Sequence, residues 1–563
     1  MVVIARQSKQ SPTLVSNWIF VVKGIMLNVK RRTIVLVLTA FIISSCGGNA
    51  SLWGQYQTPT PIGGNPVFEM PVAASTPTEF ITSSAATIPS PPTATAEPNV
   101  LPTTFVTQPA ASTPTEFSTP TLSGTTILYY AQNGDWLPAV ARRFNVDVTE
   151  ITSPKILPGK GFLDAGTLLI IPDRRDTSVQ YTPSLQLLPD SEVVFSTSAV
   201  NFDIAGYIKD AGGYLSTYRE YLGSTGWMTG AAEIQRISYE NSINPRLLLA
   251  ILDFEARWVR GSPVDDFHKE YPLEYENFRN KGMFLQLAWA INHLSTGYYG
   301  WRAGTITEIT FRDGTIYRLD PSLNAGTVAV MYYFSQLHSL NEWLRIMDQT
   351  SGFPSFYTNM FGDPWSRADS SGAIFPPALT QPEMILPFET NTNWAFTGGP
   401  HSAWESHGPL AALDFAPSTD KSGCAVSEKW ILAMAPGLVV RSGSGIVVLD
   451  LDGDGHEQTG WNILYLHVAN RGRVVLGEWV ELNERIGHPS CEGGISTGTH
   501  THIARKYNGE WVIADGPIPW VMSGWTVIAG DEPYLGKLVR GNQVITADVY
   551  GQAKSLIARE DDE

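Results

Sequence analysis

The chain has 563 residues, 43% of them hydrophobic, too long for one core and long enough for three or more domains. Its formal net charge of −16 excludes the basic stripe of a nucleic-acid binder, so no nucleic-acid partner is expected, and neither a P-loop nor a GxGxxG turn following a strand occurs. Seventeen tryptophans and twenty-one tyrosines suit stacking on sugars as well as ordinary core packing.

The first element is MLNVKRRTIVLVLTAFIISSCGG, starting at Met26. Lys30, Arg31 and Arg32 form a basic segment, Thr33 to Ile43 a short apolar one, and small residues lead into Cys46. That run is short for a membrane span and reads as a secretory signal. Ile43-Ser44-Ser45-Cys46 resembles the bacterial lipobox. The resemblance implies cleavage before Cys46 and a lipid on its thiol; because the signal works without residues 1–25, Met26 is an alternative functional start. Residues 1–46 are thus expected to be a signal, and the body to lie outside the cytoplasm, anchored to a bacterial membrane and associated with the cell wall. Residues 47–125 are rich in Pro, Thr and Ser, with AASTPTEF at Ala73 and again at Ala110. Such composition cannot bury enough apolar surface to fold and predicts a disordered linker. As a flexible coil it would reach roughly 50 Å, and as polyproline II at most about 240 Å.

Residues 126–172 read as strand, Gly-Asp turn, two helices and a closing strand. Gly134-Asp135-Trp136-Leu137, Ala141-Arg142-Arg143-Phe144, Val146 and Gly166-Thr167-Leu168 resemble the LysM domain, a βααβ module that binds N-acetylglucosamine polymers. The usual Asn-Pro is replaced by Ser153-Pro154. The resemblance implies a sugar groove at Gly134, Asp135, Trp136, Leu157 and Pro158.

Residues 173–385 read as mostly helical. INPRLLLAILDFEARWV, Ile243 to Val259, is the clearest helix, with Pro245 in its first turn and Leu248, Ile251, Leu252 and Phe254 on one side. Glu255 ends the apolar run, as the single catalytic Glu does in the lysozyme-like transglycosylases that this stretch resembles; Gly282-Met283-Phe284-Leu285-Gln286 matches their next motif only in part. The resemblance implies a raised carboxyl able to protonate a glycosidic oxygen, with Trp289, Tyr298, Tyr299 and Trp301 along a cleft. A helical spacer is the other reading.

From 386 to 548 short β-rich runs alternate with Gly turns, an all-β antiparallel pattern, before an acidic tail at 549–563. TGGPHSAWESHGPLAALDFAPS carries His401 and Asp414, NILYLHVANRG carries His467, and STGTHTHIARKY carries His500 and His502. With the Ala435-Pro436-Gly437 turn and Gly477-Glu478-Trp479-Val480, these resemble the LytM/lysostaphin-type zinc endopeptidases of bacterial cell walls, in the LasA-like branch. The resemblance implies His401, Asp414 and His502 as zinc ligands, with His467 and His500 as catalytic bases or oxyanion partners. Twelve residues separate His401 from Asp414, and His407 within them competes as a ligand. Independently, catalytic zinc takes three His, Asp or Glu ligands and keeps one position open, which this set satisfies.

Asp450-Leu451-Asp452-Gly453-Asp454-Gly455 starts like a calcium loop, but the twelfth position, where such a loop carries Glu, is Trp461, and an Asp/Gly hairpin turn is the expectation. Once Cys46 is lipidated, Cys424 and Cys491 remain and are expected to pair outside the cytoplasm. The function expected is zinc-dependent cleavage of amide bonds in peptidoglycan, with the LysM-like module holding the enzyme on the wall. The alternatives are a wall-binding scaffold or hydrolase activator without catalysis, and a glycan-cleaving enzyme centred on Glu255.

Overall fold

The computed structural model describes residues 125–418 and 423–561. The expected signal, Cys46 and nearly all of the Pro/Thr/Ser-rich stretch lie outside the described residues. No helix among those described is long and apolar enough to cross a membrane.

Strands β1 (Thr126–Tyr130) and β2 (Leu168–Pro172) pair antiparallel, and helix α1 (Leu137–Phe144) packs Val140 and Phe144 against Leu169 and Ile171. Asn145 ends α1 in the left-handed conformation that Asn tolerates. The second helix expected here is a single 3₁₀ turn, Val148–Glu150, closed by a capping box between Asp147 and Glu150. It goes no further because Pro154 biases Ser153 away from helical geometry and Thr152 bridges to Ile170.

The helical region is built around α2 (Gly230–Asn241), α3 (Pro245–Ala256), α4 (Met283–Ala303) and α5 (Ala325–Leu337), with one small hairpin just before α2 and another between α4 and α5. Asn244 caps α3 and Pro245 opens it; the helix stops at Ala256, where Arg257 turns left-handed. Leu247 to Leu252 are all buried, so α3 is a core helix rather than an amphipathic one. Close approach of α4 to α5 depends on Gly297: a Cβ there would lie 2.8 Å from the Tyr332 Cβ and 2.9 Å from the Ala329 Cα.

The C-terminal region holds an antiparallel sheet of β3 (Trp394–Ser402), β4 (Leu410–Pro417), β5 (Gly437–Gly443), β6 (Ile446–Asp450), β7 (Trp461–Leu466), β8 (Trp479–Val480), β9 (Thr501–Tyr507), β10 (Glu510–Trp511) and β11 (Leu556–Ile557), in spatial order β8-β5-β6-β7-β9-β4-β3-β11, with β10 paired to β9. The segment expected as an acidic tail is therefore partly built in: Ile557 and Arg559 are buried and β11 closes an edge. Residues alternate between two cores. Leu413, Leu449, Ile463, Tyr465 and Ile503 join one core within the C-terminal region, while Ala412, Val448, Leu464 and Ala504 join the core of the helical region. The helices therefore cover one face of the sheet.

Candidate metal centre

Strand register assembles the site. β9 lies between β4 and β7, which sets His502 directly opposite Asp414 on one side and Leu466 on the other. His467 follows Leu466 at once and turns left-handed (φ 65°), leaving the strand direction. β3 reaches the same place through register shifts on both sides of Gly398 and His401. Gly398 faces the carboxylate, and a Cβ there would lie 2.6 Å from Asp414 Oδ2.

Asp414 Oδ1 lies 3.3 Å from His401 Nε2, 3.2 Å from His502 Nδ1 and 3.7 Å from His500 Nε2. His401 Nε2 and His502 Nδ1 are 3.0 Å apart. The other ring nitrogen of each histidine meets a backbone carbonyl: His401 Nδ1 donates to Gly399 (2.8 Å), His502 Nε2 to Ala403 (3.1 Å), His500 Nδ1 to Gly498 (2.8 Å) and His467 Nδ1 to Glu492 (2.9 Å). Carbonyls only accept, so in each neutral ring the remaining nitrogen carries the lone pair.

Asp414 Oδ1 is buried and accepts no hydrogen bond, and it shares the site with two lone pairs. An arrangement this poor in donors fits a cation: one atom each from His401, Asp414 and His502 lie within 4.8 Å of one another. Two imidazoles and one carboxylate, with their outer hydrogen bonds filled, match a zinc site with a position left open. Burial opposes ionisation of Asp414, yet the neighbouring His401 and His502 hold it well below the usual carboxylate range. Burial likewise opposes charge on His401, but Asp414 outweighs it and raises the ring. His502 is pushed down by burial, and His467 down to about 3 by burial with His500 and His502 beside it, so His467 stays neutral at ordinary pH.

His407 does not join the cluster. It is exposed, its Nδ1 meets Ser406 and its backbone N–H donates to Asn292 of α4. The Cys424–Cys491 disulfide is formed (Cα–Cα 5.4 Å) and joins the segment after β4 to the one before β9. Beside it Thr499 donates to the carbonyls of Gly423 and Ala425, steadying the approach to His500. One site neighbour has no sequence signal at all. Tyr534, on a turn between the strands Trp525–Ala529 and Gly536–Arg540, stacks on His401 at 4.2 Å with 54% of its surface exposed. Backbone bonds from Gly399 N–H to Tyr534 and from Tyr534 N–H to Pro400 fix it there.

The other expected site residues lie elsewhere. Glu255 is in the helical core, 3.8 Å from His338 Nε2, its carboxyl raised by burial and only partly relieved by His338. The first-turn residues expected to face sugar are engaged by protein. Asp135 is buried and accepts from Tyr129 and Arg143; Trp136 Nε1 donates to the Arg302 carbonyl; the Arg302 guanidinium fills the space in front of Gly134. Of that set only Leu157, half-buried, and Pro158, exposed, stay clear of these contacts.

Comparison with known proteins follows this layout. Residues 186–375 match the family model described as LasA, N-terminal domain. The chain is 24% identical over 359 residues to Protease LasA of Pseudomonas aeruginosa, covering 59% of this chain and 77% of that protein. It is 27% identical over 169 residues to the beta-lytic metalloendopeptidase of Achromobacter lyticus, covering 29% of this chain and 41% of that one. Among solved structures, the M23 metalloprotease pseudoalterin from the deep sea aligns with 32% of this chain and 100% of its own, at 23% identity and a TM-score of 0.27. Protease LasA and the beta-lytic enzyme are both named as peptidases, and the likeness of this chain to them supports a metalloendopeptidase.

Proposed function

We propose that the chain is a zinc endopeptidase that hydrolyses amide bonds of peptidoglycan stem peptides or cross-bridges. The observation that carries this reading is the buried His401–Asp414–His502 cluster, whose imidazoles are tied to carbonyls on their far side. Zinc bound there would polarise the scissile carbonyl and lower the pKa of attacking water. Asp414, held ionised, supplies the negative charge. His500, with Nδ1 tied to Gly498 and Nε2 turned to the centre, is placed to accept the proton from attacking water. His467, kept neutral, flanks it at 4.5 Å between ring centroids and shapes the same side of the site. The exposed Tyr534 ring forms the rim that a peptide would pass.

The peptidoglycan target and the wall attachment rest on the lysostaphin-type, LysM and lipobox resemblances. In this reading Cys46 carries the lipid, residues 47–125 provide reach, and module 126–172 adds wall affinity. A glycan-cleaving role for Glu255 is the second reading, favoured by its buried, raised carboxyl.

The test uses the full chain: bound zinc is measured, together with new amino termini and new reducing sugar ends released from peptidoglycan. We expect about one zinc per chain and release of amino termini, both lost in His502→Ala. Undiminished release of amino termini by that variant would overturn the zinc mechanism. Reducing ends that vanish only in Glu255→Gln would establish the second reading.

A further inference from the structure

The hairpin between β6 and β7 is the acidic loop whose sequence starts like a calcium loop and then fails at its twelfth position. Its three aspartates converge. One carboxylate oxygen each from Asp450, Asp452 and Asp454 lie within 4.8 Å of one another, with Asp450 fully buried and the other two exposed. Left-handed Gly453 (φ 74°) and Gly455 (φ 91°) wrap the chain around them. Asp450 accepts from the backbone of Asp452 and Gly455, and Asp454 from that of His456. Among the described residues no lysine or arginine pairs with any of the three. The nearby cations Arg441 and Lys506 are both engaged by Glu457.

An acidic cluster alone is not a site, because solvated carboxylates commonly gather on turns. The second observation is Asn462. It is the cross-strand partner of Asp450, so the two side chains share a face of the hairpin. Its amide nitrogen donates to the Thr459 carbonyl at 2.8 Å, and Thr459 in turn donates to Asp454 at 2.9 Å. The Asn462 carboxamide is thus tied to the loop's own backbone, on the face it shares with Asp450. It is completely buried, and its oxygen has no hydrogen-bond partner. An orphaned buried amide oxygen is costly unless something positive meets it.

We infer that the 450–462 hairpin is a divalent-cation site for calcium, held by the carboxylates of Asp450, Asp452 and Asp454 and by the amide oxygen of Asn462. All four donors are hard oxygens, as calcium prefers, and water completes the shell. Asn462, one position beyond the twelfth, supplies from the returning strand the oxygen that Trp461 cannot. A site with three charges and no bidentate glutamate belongs in the affinity range of extracellular modules, about 10⁻⁴ to 10⁻³ M. The loop also anchors the join between the helical region and the sheet: Gly460 and Asn508 exchange backbone and side-chain bonds, Asn508 donates to Ile374 and Trp461 to Thr380. Calcium would tighten that join. This inference is independent of the peptidase reading and stands if that reading fails.

The test uses the full chain, freed of calcium with EGTA and desalted into zinc-containing buffer. Calcium is titrated by calorimetry and by thermal unfolding, with magnesium as control, and terbium luminescence is read with tryptophan excitation, because the Trp479 ring lies against Gly453. We expect one saturable calcium per chain, a rise in Tm, and sensitised terbium emission displaced by calcium. Asp452→Asn with Asp454→Asn changes only exposed side chains and should weaken calcium binding at least about tenfold while keeping the calcium-free Tm; Asn462→Leu should weaken it too. Absence of saturable binding up to about 10 mM calcium, or equal affinity in the double aspartate variant, overturns the site.

Discussion

Single residues at the centre show what spacing can and cannot reveal. His500 and His502 stand one residue apart, and both rings reach Asp414 Oδ1. That convergence was legible because alternate positions of an extended segment point the same way. The separation of His401 from His407 was not, since it depends on where β3 shifts register and on Asn292 drawing the intervening loop onto α4. Tyr534 left no trace in the sequence because its place on His401 is fixed by backbone bonds between distant turns. Gly398 tests the geometry directly. Gly398→Ala forces a methyl to within 2.6 Å of the Asp414 carboxylate, so zinc content at fixed free zinc should fall several-fold while the far-UV spectrum is unchanged. A second residue-scale prediction concerns Glu233, which lies against Glu220 and is raised to about 8, first by burial and then by the Glu220 charge. Between the ordinary glutamate pKa and about 8 the unfolded chain releases this proton while the folded one keeps it, so stability falls as pH rises through that window and levels off above it. Glu233→Gln should flatten the change in Tm between pH 5 and pH 8, as measured by calorimetry.

At the scale of elements, caps and prolines were the reliable signals. Pro245 did open α3, with Asn244 as its cap. α3 ends at Ala256, three residues before the expected Val259, because the apolar run Trp258-Val259 is buried as a loop held by Asp253, whose Oδ1 accepts from Val259 and Arg260 N–H groups. The second module helix shrank to one turn for want of length before Pro154. The disulfide links two loops 67 residues apart in sequence, both bordering the approach to β9. Chain-entropy reasoning gives such a loop about 4 kcal/mol of stabilisation through the unfolded state. Cys424→Ser with Cys491→Ser should therefore lower denaturant-measured stability by about 2–4 kcal/mol. Hydrogen exchange should increase most around Thr499 and His500, with the rest of the sheet protected as before.

Over the whole molecule, one arginine joins three regions. Arg302, at the end of α4, donates to Glu510 of β10, pairs with Asp190 and reaches the Asn133 carbonyl in the first turn of the LysM-like module. Tyr298 donates to the same Glu510 carboxylate at 2.7 Å. Removing one member of such a buried pair leaves the other charge uncompensated, so Glu510→Ala should cost about 3–5 kcal/mol. Adding Arg302→Met should cost less than the sum of the single changes, since the stranded charge is then gone. Unfolding curves for the four proteins decide this. By itself the sequence determined the order of regions, the β-rich character of the C-terminal region and the residue types of a metal centre. These are legible because turn residues, strand periodicity and metal-donor chemistry are local properties of the chain. Tertiary structure alone decided that His401 rather than His407 meets Asp414, that Gly134 and Trp136 serve contact between regions, and that the Asn462 amide oxygen, across the strand pair from Asp450, is buried without a hydrogen-bond partner. Each of these depends on which strands and helices become neighbours, and that follows from burying the two faces of the sheet in two separate cores.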